Sequence, residues 1–255
     1  MKIKNRVSIL LATAASLLAF SLAAQQSQNR PQQSSGDMPG MDMGSMHRDA
    51  DKNPEAARSA NDAMSNEDMD MNPHMFMTEL RPTKPGDDKR AAEILSALRP
   101  AIEKYKDYKV ALADGYQIFS PNVPQHHYHF TNYRYAFEST FEFNPAHPTS
   151  LLYKKTDDGY ELEGAMYTAP KKATEDQLDE RVPLSVARWH KHVNFCMPPK
   201  GASRQDVNWK QFGLAGSITS PDSCQQAGGQ WRAQIFSWMV HVYPYETDPA
   251  KIWAH

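Results

Sequence analysis

Apolar residues between Asp87 and Tyr116 recur at helical spacing: Ile94, Leu95, Leu98, Ile102 and Tyr105 fall on one stripe. Asp87 or Asp88 can cap the start of this helix and Gly115 can close its end, while Pro100 predicts a kink or a junction of two helices. Beyond Gly115 the period drops to two. "SLLYKKTDDGYELEGAMYTAP" reads as a hairpin, with Leu151 to Lys154 outward, Asp158-Gly159 turning and Tyr160 to Thr168 returning. "SVARWHKHVNFC" and "QIFSWMVHVYPY" read as further strands, with a short helix in "KKATEDQLDERVP" before them. A helix followed by mostly sequential strands predicts an α+β fold, with the N-terminal helix packed on a mostly antiparallel, partly barrel-like sheet.

The pattern is confined to the later part of the chain. Residues 1–24 have a basic start (Lys2, Lys4, Arg6), the apolar run "VSILLATAASLLAFSLAA" and small residues at Ala23 and Ala24, which together read as a cleaved signal peptide. All 5 Trp and all 11 Tyr lie at or after Tyr105. Residues 25–86 are rich in Gln, Asn, Ser, Asp, Pro, Gly and Met, a composition that buries too little apolar surface to offset the entropy of ordering. The expectation is a disordered tail over 25–86 and one globular domain over 87–255.

Formal net charge is −2 among 255 residues, which gives no electrostatic reason to expect nucleic acid or anionic lipid as a partner. Once the signal peptide is removed, no stable membrane association is expected. Export places the chain in the periplasm or outside the cell. In that setting the two cysteines, Cys196 and Cys224, are expected to pair, a bridge worth roughly 3 kcal/mol. Thiolate ligation of zinc or copper is the alternative.

Alternation then picks out the histidines. In "HHYHF" His127 and His129 share one strand face; in "RWHKHVNF" His190, His192 and Asn194 do; in "FSWMVHVYP" Met239, His241 and Tyr243 do. Each strand sets apolar bulk on the opposite side. If the strands are neighbours, imidazoles from His127, His129, His190, His192 and His241 converge on one surface. Neutral imidazole is the commonest protein ligand for copper and zinc, and either is the expected cofactor. A single His-x-His in a strand is ordinarily hydrogen-bonded or solvated, so it is the repetition over three segments that carries the expectation. Glu161 and Glu163 are candidate carboxylates of the same region, or the wet face of a hairpin.

Nine of the 13 methionines lie between Met38 and Met77. Thioethers are soft donors that select Cu(I). The candidate soft-metal donors are Met38, Met41, Met43, Met46 and His47, then Met69, Met71, His74, Met75 and Met77. This stretch resembles the Met-rich segments of bacterial copper-resistance proteins. The later chain resembles a family of exported bacterial proteins of unknown function, on Asp114, Gly115, Tyr116, Tyr128, His129, Phe130, Asn132, Pro148, Leu151, Tyr153, Gly164 and Tyr167. It departs from that family at Met166, where the family tends to carry Glu. The resemblance implies a fold and no activity.

The leading expectation is an exported metal-binding, copper-handling protein whose metal ion is its partner. A metal-dependent enzyme with a cupin-like histidine cluster, oxidoreductase or hydrolase, is the second, and a non-metal binding or structural domain the third. Neither the metal nor any substrate is legible.

Overall fold

The structure is a computed structural model of the chain, and it describes residues 72–121, 124–203 and 205–253. The signal-peptide reading and the donors Met38, Met41, Met43, Met46, His47, Met69 and Met71 lie outside the described residues. Among those described, the strands are β1 (Met75–Met77), β2 (Gln117–Ile118), β3 (Tyr128–Thr131), β4 (Ser150–Thr156), β5 (Gly159–Ala169), β6 (His190–Met197), β7 (Gln230–Gln234) and β8 (Trp238–Val242). The helices are α1 (Asp87–Ile102), α2 (Tyr108–Ala113), α3 (Tyr133–Glu138), α4 (Glu175–Arg181), α5 (Pro221–Gln226) and α6 (Pro249–Ile252). The fold is α+β. All strand pairings are antiparallel, in the order β1-β6-β8-β5-β4-β3-β2 with β7 added to β6, and the sheet stays open.

The predicted helix forms as α1, with Ala91, Ile94, Leu95, Leu98 and Ile102 buried. Pro100 sits inside it near the end, and the chain passes through a short 3-10 turn (Glu103–Lys106) into α2. Gly86, not an aspartate, occupies the cap position of α1. Asp87 instead lies in the first turn, accepting from the Lys84 backbone N–H (2.8 Å), the Ser185 hydroxyl (2.6 Å) and Arg90 (3.0 Å). These donors, Ser185 foremost, hold its carboxyl down at about 2. Gly115, at φ 92°, ends α2 as expected.

The hairpin also forms, with its turn one residue earlier, at Asp157-Asp158. A register shift opposite Leu152/Tyr153 leaves Glu163 unpaired, between the partners Tyr153–Leu162 and Leu152–Gly164. That bulge re-aims the Glu163 side chain. The short helix predicted before β6 is α4, closed by a Thr174–Gln177 capping box.

The tail boundary differs from the expectation. Met75, Phe76 and Met77 form an edge strand on β6, in register with His192, Lys191 and His190. The ordered part therefore begins upstream of Asp87. Three consecutive bulky apolar side chains and the free edge of β6 explain why this piece joins the sheet.

One face of the sheet carries the core. Phe130, Leu151, Tyr153, Ala165, Tyr167, Val240 and Val242 pack there against Ile94, Leu95, Leu98 and Ile102 of α1. Cys196 and Cys224 form a disulfide, with Cα atoms 5.5 Å apart, beside Phe212. The bridge fits a chain that folds outside the reducing cytosol. Gly229 is held to glycine here, because a methyl group would press on both sulfurs and the Phe212 ring.

Candidate metal centre

The other face holds the histidines. Directly paired residues of antiparallel strands point the same way, so the registers Met75–His192, His190–Met239, Met239–Thr168, His241–Met166, Met166–Ser150 and His129–Leu152 assign one continuous face. Three strand steps separate β3 from β8. Side chains rising from a flat sheet would stand about 14 Å apart over that span. The His129 and His241 ring centroids are 5.7 Å apart, so the sheet curls with this face on the inside. His241 lies 5.1 Å from His190, and His190 lies 5.8 Å from His192.

These four rings border a cavity of about 90 Å³, to which Met75, Met166 and Met239 add thioethers. His190, His192 and His241 are buried. His129 is half-buried as a residue, but its Nδ1 is shut off from solvent and has no hydrogen-bond partner among the described residues. Burial, with a smaller contribution from His127, lowers its pKa to about 4, so the ring is neutral near pH 7. Neutrality is the state that ligates metal.

Of the five predicted ligands, His127 stands apart. It precedes β3 rather than lying in it, and Nδ1 pairs with Glu163 Oε2 at 2.7 Å, the carboxylate that the bulge turns outward. Tyr243 packs between, 5.6 Å from His127 and 6.4 Å from His241. Glu161 stays on the exposed rim opposite Lys154. The predicted grouping of Asn194 with His190 and His192 also fails. Asn194 takes φ 64°, which breaks the alternation and sends its amide to the Pro73 carbonyl (2.9 Å).

The described tail donors part ways. His74 stacks on Phe195 and is tied through Nε2 to the Gly216 carbonyl at 2.7 Å. Met75 lines the histidine cavity, and Met77 pairs in register with His190. Sequence reasoning missed Thr131, Thr149, Ser150 and Thr168, which also line the cavity. Thr131 and Ser150 share a face with His129 and Met166, so strand alternation could have found them.

A metal held tetrahedrally by imidazoles at about 2.0 Å sets neighbouring ring centroids about 5 Å apart. The observed separations lie close to that. As the side chains stand, however, no group of three or more His, Cys, Asp or Glu is arranged to hold an ion among the described residues. The rings are gathered without their nitrogens being turned to one point. The donor chemistry suits copper or zinc, and Nδ1 of His129 has no hydrogen-bond partner among the described residues.

No helix among the described residues is long and apolar enough to cross a membrane. What fold and site define is an α+β protein whose open, curled antiparallel sheet encloses a histidine- and methionine-lined cavity. No family model matches the chain, and neither a curated protein nor a solved structure does.

Proposed function

We propose that this chain is a periplasmic or secreted transition-metal-binding protein that handles copper. His129, His190, His192 and His241 would hold the ion, with Met75 and Met239 as adjacent thioethers. The observation that carries the reading is the gathering of four imidazoles from three strands on the inner face of one sheet. A mixed imidazole and thioether set suits copper in both oxidation states better than it suits hard cations. The disulfide agrees with an oxidising compartment, and the Met-rich tail would collect Cu(I) upstream of Met75. A second reading, a metal-dependent enzyme, is favoured by the open space beside the rings, which leaves room for an exchangeable ligand.

Elemental analysis of the purified chain tests this. A form lacking residues 25–71 keeps β1 and isolates the folded site. It should bind about one equivalent of copper, and His129→Ala with His192→Ala should abolish that uptake. Unchanged stoichiometry in the double variant refutes the ligand assignment.

A further inference from the structure

The hydroxyl chain at the cavity has a fixed polarity. The Ser139 hydroxyl donates its only proton to the Ala136 carbonyl at 2.8 Å. Its contact with Thr168 Oγ1, also 2.8 Å, must then be one that Ser139 accepts. Thr168 thus spends its proton on Ser139, and its 2.8 Å contact with Thr149 must be donated by Thr149. Each group has one proton, so the direction runs Thr149 to Thr168 to Ser139 to the Ala136 carbonyl. Thr149 is buried, borders the cavity and is left with lone pairs only.

We infer that the exchangeable ligand of this cavity is a small molecule that presents an N–H or O–H donor to Thr149 while binding the metal through another atom. The inference rests on the proposed metal site and adds the ligand class. Water, a small alcohol, hydrogen peroxide and an azole with a free N–H belong to that class; azide and N-alkylated azoles do not. A ligand without a donor leaves the lone pairs of the buried Thr149 oxygen unsatisfied, which is how a polar site rejects an analogue.

The copper(II)-loaded full chain tests this with three probes read by electron paramagnetic resonance: imidazole, 4-methylimidazole and 1-methylimidazole. The first two keep an N–H, and the second controls for bulk. Both should bind roughly three- to tenfold more tightly than 1-methylimidazole, the range of one net hydrogen bond. Thr149→Val should erase the preference. No preference in the parent chain, or one that survives Thr149→Val, overturns the inference. Thr168→Val is the second variant. It removes the acceptor that holds the Thr149 proton and so lets Thr149 donate into the cavity, and azide should then bind about three- to tenfold more tightly. Unchanged azide affinity overturns the inference as well. If the full chain binds no copper(II) that His192→Ala loses, the metal-site proposal falls and this one with it. If copper binds without discrimination, only this one falls.

Discussion

Gly164→Ala is a small perturbation placed where the site's geometry is set. Gly164 lies on β5 opposite Leu152, and its register carries on to Tyr243 just past the end of β8. A Cβ added there would stand 2.5 Å from the Val242 carbonyl oxygen and 2.9 Å from Cδ1 of Tyr243. The tyrosine ring can swing away. The carbonyl cannot, because it belongs to the strand that carries His241. Overpacking of this kind costs about 1–3 kcal/mol, set against about 0.4–1 kcal/mol gained from a less flexible unfolded chain. A net loss of about 1–2 kcal/mol should lower the melting temperature by roughly 2–8 °C for a domain of this size. Thermal denaturation followed by circular dichroism reads this directly, and copper stoichiometry reads the displacement of His241. Adding Tyr243→Ala should not restore stability, since the ring is not the obstacle. A melting temperature unmoved by Gly164→Ala, or rescued by removing the ring, would refute the reasoning.

Two further predictions follow from the fold. Replacing both Cys196 and Cys224 with Ser opens a link across a sequence separation of 28, which should cost about 3–4 kcal/mol and roughly 10 °C; an unchanged melting curve contradicts it. Asp87, held at about 2 against an ordinary 3.8, contributes stability that is complete above the ordinary value and is lost as pH falls from about 4 to about 2. Asp87→Asn should therefore flatten the pH dependence of urea stability in that window, and an unaltered slope would show that other carboxylates govern acid unfolding.

Much of this was legible because periodicity reports burial. The stripe through Ile94, Leu95, Leu98 and Ile102 gave α1, and alternation gave the histidine face on β6 and β8. What alternation cannot see is a broken register. The bulge at Glu163 and the left-handed backbone at Asn194 each move a side chain that strict alternation would place elsewhere. His127 was lost for a related reason: its segment becomes a strand only one residue later, so its direction was never set by the pleat. Neighbourhood was the other gap. Nothing local says that β1, at the end of a Met-rich stretch, pairs with β6 and brings Met75 to the histidines.

The inner face is where the proposed binding role and a purely structural one predict opposite stabilities. A sheet with helices on one side gains stability by filling its other side with apolar side chains or by leaving it wet; this face fills itself only in part, with Leu152, Met166 and Met239, and buries imidazoles and hydroxyls beside them around open space. An orphaned polar atom such as His129 Nδ1 costs about 1–3 kcal/mol. His129→Leu should therefore raise the stability of the metal-free chain by about 1 kcal/mol, a melting temperature higher by roughly 2–4 °C, once the loss of the ring's hydrogen bond to the His127 backbone is allowed for. If the proposed site holds copper, the metal should reverse the order. At a hundred times its dissociation constant a ligand adds about 2.7 kcal/mol to the form that binds it, so the parent chain should then melt above the variant. Crossing melting temperatures, measured with and without copper, are what a face selected for binding rather than for stability requires. If His129→Leu is the less stable form in the absence of metal, the ring is a structural member of the fold and the argument fails.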